Sequence, residues 1–387
     1  MRTKILEEAF RGCCPRCIGR ILYGAIPVEG NVPRGKLALF VMGILGYDIR
    51  EVSESECRLC KGLFMDIDRY ADRIVHDLSG REISSILVGS IVSREYTEIE
   101  SEIFSATGFK GERIKKEFNR ELGKSVSGRM GIEAEFSNPD VIVTVDLRYD
   151  DIQYYVRPLF IYGKYRKLVR GIPQTRWIHA KSDEKSVEEL IGIPAMEMAA
   201  GTNFYLHGAG REDVDVRMLG NGREFILEVS NPRIRKIDLD RLASSINSTG
   251  RVEVFDIRFS DSNEVERIKS ERNDKVYTAR ILAESPISKE RLDQAAKTLC
   301  GKIIYQRTPL RVTTRRADLI RQRLVKQLRI VSIHGNEAGI EITAEAGTYI
   351  KELVSGDSGR TVPSLSSEYG EPLRVLELDV MNIIRED

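Results

Sequence analysis

The sequence predicts an α+β protein with a cysteine-bearing, α/β N-terminal part and a sheet-rich C-terminal part. Three observations carry this. Five of the six cysteines fall between residues 13 and 60. Helical and strand periods then alternate through residues 64–170. Beyond residue 186 strand-period segments dominate, the most regular being Gly208–Glu228, GAGREDVDVRMLGNGREFILE. At 387 residues the chain is too long for one ordinary core. We expect three parts, at 1–63, 64–170 and 171–387.

Charges nearly cancel, with 60 basic against 59 acidic residues, so any binding of nucleic acid must come from local patches. No apolar run approaches the roughly 20 residues that span a bilayer. The N-terminus, MRTKILEEAFRGCC, has acids where a signal peptide has its apolar core. A cytoplasmic protein is expected.

In the first part, CCPRC and CRLC place Cys14, Cys17, Cys57 and Cys60 in two C-x-x-C units. Such pairs hold a structural Zn²⁺ when four thiolates close the tetrahedron. Gly19 and Gly62 follow the pairs and suit tight knuckles. The long gap should be filled by a helix in GKLALFVMGILGYDI, and Cys13 is expected to stand aside.

In the second part, DIDRYADRIVHDLSG has helical spacing. SSILVGSIVS reads as a buried strand. EIESEIFSATG and ERIKKEFNRELGKSV read as helices, and PDVIVTVDLRYDDIQYYV as two strands turning at Asp150–Asp151. From Arg157 to Lys181 there are seven Lys/Arg and no acid, interleaved with Phe160, Tyr162, Tyr165 and Trp177. Cations for phosphates among rings for stacking indicate RNA binding. Arg166, Lys167 and Arg170 are its candidate contacts; a solvated basic strand with core aromatics is the other reading.

The third part opens with a capping box in SVEELIGIPAMEMA. Strands follow in EFILEVSNPR, VEVFDIRFS and KVYTARILAES, then a helix, ISKERLDQAAKTLCG, closed by Gly301. Arg307–Arg329 forms a second basic patch with Asp318 its only acid. Arg307, Arg311, Arg315 and Arg316 are candidate substrate contacts. The tail reads as two strands, a helix start and a last strand, LRVLELDVMNII. In Gly208–Glu228, Val214, Val216 and Met218 alternate with Asp213, Asp215 and Arg217, a half-buried strand that presents carboxylates beside a guanidinium. There is no P-loop, no strand-linked G-x-G-x-x-G and no zinc-deaminase H-x-E. Catalysis by carboxylate, tyrosine and lysine without an organic cofactor remains.

The motifs GREDVDVRMLG-x-GR-x-F, RGIPQTRW, KVYTARI, QRTPLRV and AGTYIKELVSGD, with CPRC…CRLC ahead of them, resemble the archaeal and eukaryotic tRNA pseudouridine synthases of the T-arm type. The resemblance covers nearly the whole chain. It implies a zinc-binding and THUMP-containing N-terminal part before a mixed, largely antiparallel pseudouridine synthase domain. It implies structural zinc and no organic cofactor, tRNA as partner, and no membrane or protein partner. The catalytic aspartate falls on Asp213, with Asp215 the second choice. The tyrosine that packs on the uracil falls on Tyr277, the cation that pairs with the aspartate on Lys351, and an apolar pocket residue on Leu365. Arg211, beside Asp213, joins the substrate contacts. The implied reaction breaks the C1′–N1 bond of uridine 54, uridine 55 or both and rejoins the base through C5. Members of the family often carry a second cysteine cluster where this chain has IHAKSDEK, so a second metal is not expected. A non-catalytic tRNA binder or chaperone, and a zinc enzyme acting at the cysteines, stand as alternatives from other classes.

Overall fold

A computed structural model describes residues 2–176, 184–313 and 316–384. Trp177, Lys181, Arg315 and most of the IHAKSDEK segment lie outside the described residues. The chain forms two compact units, Met1–Arg157 and Pro158–Asp387.

The first unit runs α1 (Arg2–Phe10), α2 (Pro15–Ile21), α3 (Asn31–Ile44), α4 (Ile67–Asp77), β1 (Ser85–Ile91), α5 (Arg94–Thr107), α6 (Ile114–Met130), β2 (Glu133–Ala134), β3 (Val141–Asp146) and β4 (Asp151–Val156). Its sheet has the order β2-β1-β3-β4, parallel at β2/β1 and β1/β3 and antiparallel at β3/β4. The cysteines pack into the same apolar core as this sheet and its helices, so the zinc-binding and α/β parts expected at 1–63 and 64–170 share one core. Gly62, at φ +79°, makes the expected knuckle after Cys60. Gly19 does not: it lies within α2, where a Cβ would meet the Asn31 carbonyl oxygen at 1.8 Å. Its hydrogen is what lets α3 approach.

The second unit runs β5 (Leu159–Lys167), α7 (Val187–Met198), β6 (Asn203–Gly208), β7 (Val216–Ser230), α8 (Leu239–Asn247), β8 (Val252–Ser260), α9 (Ser262–Ser270), β9 (Asp274–Ala283), α10 (Lys289–Leu299), β10 (Lys302–Arg307), β11 (Ile320–His334), β12 (Glu337–Ala344), α11 (Ile350–Ser355), β13 (Thr361–Val362), α12 (Leu365–Tyr369) and β14 (Leu373–Ile384). These strands form one sheet of order β13-β10-β11-β12-β9-β14-β7-β5-β8, with β6 on β7. Every pairing is antiparallel except β14/β7. The expected mixed, largely antiparallel sheet is present.

The break between units falls at 157/158, earlier than the 170/171 boundary expected. The basic strand β5 is the reason: it pairs with β7 on one side and β8 on the other, so its hydrogen bonds commit it to the second sheet. The acids of GREDVDVR also sit differently from expectation. Asp213–Asp215 form a turn, closed by the Val216 amide on the Asp213 carbonyl at 3.1 Å, and the strand begins only at Val216. Val214 is exposed.

Candidate active site

The turn that carries Asp213 is held from beneath by buried polar groups. Glu212 points inward, its side chain fully covered, and meets Arg223 of β7 at 3.0 Å. The Tyr165 hydroxyl donates to both Glu212 carboxylate oxygens at 2.9 and 3.0 Å. Gln174 donates to that hydroxyl and to the Gly210 carbonyl, and Arg223 donates to the Ala209 carbonyl. Gly210 is needed at its position: φ is +91°, and a Cβ would come within 2.8 Å of the Arg223 guanidinium. Lys167 closes the base. It is fully buried, and its ammonium donates to the carbonyls of Ile172, Asp213 and Val214 at 2.7, 3.0 and 3.0 Å. Burial pushes its pKa down to about 8.

This support turns Asp213 toward a cavity of about 930 Å³ walled by Tyr277, Arg311, Lys351, Arg211, Val380 and further residues of the second unit. Arg311 brings Nη1 to 2.8 Å from Asp213 Oδ2 and Nε to 2.7 Å from Glu352 Oε1. Lys351 lies 3.6 Å from the same Asp213 oxygen but donates to both oxygens of Asp215 at 2.7 Å. Burial disfavours a charged Asp215, yet the Lys351 ammonium outweighs it and holds that carboxyl below its ordinary value. Tyr277, on β9, is buried in the cavity wall, and desolvation pushes its phenol up to about 12. It stays neutral at physiological pH, which suits a ring that packs.

The structure brings Asp213, Tyr277, Lys351, Arg211, Arg311 and Arg316 to one cavity and sorts the other candidates elsewhere. Leu365 is fully buried in the core at the start of α12 and is not in the cavity wall; Val312, Ile350, Leu378 and Val380 supply the apolar lining. Lys167 is not a phosphate contact, because its donors are spent on the three carbonyls. Arg170 is committed to the Asp215 and Leu378 carbonyls and to Asp379. Arg166 pairs with Glu253 and lies over the Phe255 ring, and Arg307 pairs with Asp318; neither lines the cavity. Arg315 lies outside the described residues. Glu212, Arg223, Lys275 and Glu352 were missed. For Glu212 and Arg223 a signal existed, since both are charged residues inside otherwise tight, glycine-flanked motifs.

In the first unit the sulfurs of Cys14, Cys17, Cys57 and Cys60 all lie within 4.8 Å of one another, and all four residues are buried. Cys14 and Cys60 Sγ are 3.8 Å apart, which matches the edge of about 3.8 Å of a tetrahedron with Zn–S bonds of about 2.3 Å. The Cys14 amide donates to Cys57 Sγ at 3.3 Å. These four could hold a metal ion. Cys13 instead donates its thiol to the Ala9 carbonyl and is not in the group, as expected. No helix among the described residues is long and apolar enough to cross a membrane.

Residues 160–384 match the family model described as Pus10, C-terminal, and residues 70–146 the archaeal Pus10 THUMP domain. The chain is 47% identical over 385 residues to the tRNA pseudouridine synthase Pus10 of Thermoplasma acidophilum, covering 99% of each. It is 45% identical to the same-named protein of Picrophilus torridus over 99% of this chain and 100% of that one. It is 38% identical to that of Pyrococcus furiosus over 98% and 96%. The fold, the cavity and these matches define a pseudouridine synthase, an isomerase, preceded by a THUMP domain. Within that class the chain belongs to the Pus10 family.

Proposed function

We propose that the chain isomerises uridine to pseudouridine in the T arm of tRNA, at position 54, position 55 or both, with Asp213 as the catalytic carboxylate. The observation that carries this is a carboxylate on the cavity wall with two cations, Arg311 at 2.8 Å and Lys351 at 3.6 Å. Such cations pair with the carboxylate at the point where a flipped base would enter. Asp213 attacks the ribose C1′, or assists elimination to a glycal, as the C1′–N1 bond breaks. The uracil turns and C5 bonds to C1′ as the Asp213 carboxylate leaves C1′, or, on the glycal route, as Asp213 returns the C2′ proton; C5 then loses its proton and N1 gains one, so nothing is consumed. Tyr277 replaces the stacking that the flipped base loses. Arg211 and Arg316, on the same wall, face the phosphates of the entering strand.

The four clustered cysteines hold a structural Zn²⁺ in this reading. A site closed by four thiolates has no open position for substrate, so the metal stabilises the first unit and takes no part in the chemistry. In this reading the enzyme works in the cytoplasm. The test is Asp213→Asn. Its tRNA binding should persist while tritium release from tRNA carrying 5-³H-uridine disappears; full release by that variant would overturn the reading.

A further inference from the structure

We propose that Glu352 is a positioning residue for the isomerisation: it fixes the Arg311 guanidinium so that one edge faces Asp213. This rests on the reading of Asp213 as the catalytic carboxylate. Arg311 stands on a short 3-10 turn at Leu310–Val312, a segment without strand partners of its own. The guanidinium is held between two carboxylates. Nε meets Glu352 Oε1 at 2.7 Å and Nη2 meets Oε2 at 3.4 Å, which leaves Nη1 for Asp213 at 2.8 Å. Glu352 is only 5% exposed and is set in the first turn of α11, the helix that carries Lys351. Beyond the C-terminal end of α11 the turn is gripped again, where the Asp357 carboxylate accepts from the Leu310 amide at 3.2 Å.

Three physical points turn this contact into a role. A free arginine side chain samples many rotamers, worth about 2 kcal/mol, and a two-point fork on a buried carboxylate removes that freedom before substrate arrives. Burial works against the charge on Arg311, but Glu352 and Asp213 together outweigh it and raise its pKa. And since Lys351 and Glu352 are neighbours on α11, one rigid element sets both cations that face Asp213.

The test compares Glu352→Gln, Glu352→Asp and Glu352→Ala in steady-state tritium release, with tRNA affinity and thermal unfolding measured on each. We expect kcat to fall about 100-fold in Glu352→Gln, the scale of a misplacement of about 1 Å at a reacting group, with KM for tRNA within about twofold. Glu352→Asp should recover part of the loss, and Glu352→Gln added to Arg311→Ala should cost nothing further. Wild-type kcat in Glu352→Gln, or additive losses in the double variant, would overturn the proposal. Asp213→Asn run in parallel separates the two readings. If it is inactive while Glu352→Gln is fully active, only the positioning role fails; if Asp213→Asn is itself active, the catalytic assignment fails first.

Discussion

Arg311 is the cation that meets Asp213, with a guanidinium nitrogen 2.8 Å from a carboxylate oxygen. A basic partner for Asp213 was expected at Lys351, whose ammonium is farther away and doubly engaged elsewhere. Removing the nearer charge should therefore matter at least as much. We expect Arg311→Ala to lower kcat by roughly 100-fold, the size of losing one preorganised charge contact in a closed site. Single-turnover tritium release on saturating tRNA measures it, and an Arg311→Ala rate equal to wild type would show that Lys351 alone suffices.

Asp215 competes for Lys351. It takes both short contacts of that ammonium and is itself two-thirds exposed at its side chain. Its substitution by asparagine leaves Lys351 with Asp213 as its remaining carboxylate partner here. Asp215→Asn should stay within about tenfold of the wild-type rate, since no transition-state contact is deleted. Complete loss of tritium release in Asp215→Asn, with Asp213→Asn still active, would move the catalytic assignment to Asp215.

Lys167 holds the Asp213 turn by three backbone carbonyls, and Lys167→Met strips all three of their buried donor. A loss of at least about 2 kcal/mol in unfolding free energy is expected, since each orphaned buried acceptor costs on the order of 1–3 kcal/mol. A pH signature goes with it. Burial lowers the pKa of Lys167 from 10.5 to about 8 in the folded chain. Between those values the unfolded chain holds a proton that the folded one has lost, so this group makes stability rise with pH across that window; below about 8 both states are charged and its slope vanishes. Denaturant melts from pH 8 to 10.5 should show a shallower rise in Lys167→Met than in wild type. Lys275, pushed down to about 8 by burial as well, is present in both proteins and cancels in the comparison.

Lys167 also shows where the sequence was legible and where it was not. Asp213, Tyr277 and Lys351 were singled out because each sits in a compact motif, and the fold brings all three to one cavity. The basic run 157–181 was read by composition, which cannot distinguish the two faces of a strand. Burial along β5 alternates at its end, with Tyr165 and Lys167 covered and Lys164 and Arg166 partly open. The period of two therefore separated an inward lysine from outward cations, and that signal was available. Leu365 failed for another reason: α12 is a five-residue helix, too short for periodicity to reveal which side meets the core. Glu352 lay beside Lys351 in GTYIKE, but its partner Arg311 is distant in sequence, and only the docking of the 310–312 turn on α11 joins them.

The cysteine group makes a direct prediction. The purified chain should carry one zinc per molecule by elemental analysis. Cys60→Ser should lose it, whereas Cys13→Ser, whose thiol is turned to the Ala9 carbonyl, should keep it. Zinc sites of this kind contribute about 10–16 kcal/mol of apparent binding free energy, and the four cysteines share a core with β1 and β3. Chelation should therefore lower the melting temperature of the first unit as a whole. A metal-free protein with unchanged melting would remove the structural role assigned to these thiols.

The Glu212–Arg223 pair tests whether the turn beneath Asp213 depends on charge or on shape. Both side chains are essentially inaccessible, and burial works against each ion until the partner compensates it. Glu212→Gln leaves the Arg223 guanidinium without its counter-charge, a defect that costs about 3–5 kcal/mol when one member of a buried pair is removed. Arg223→Met alone strands Glu212 in the same way. The double variant, Glu212→Gln with Arg223→Met, removes both charges and should recover much of that stability, because neutral groups of similar volume replace a pair whose attraction only offset its desolvation. Activity should not recover in parallel. Arg223 donates to the Ala209 carbonyl and Glu212 accepts from Tyr165, and the backbone of Gly208–Asp213 takes its path from those bonds. A double variant that is stable yet slow, with tRNA affinity intact, would assign the pair to placing Asp213. A double variant that is both stable and fully active would assign it to packing alone.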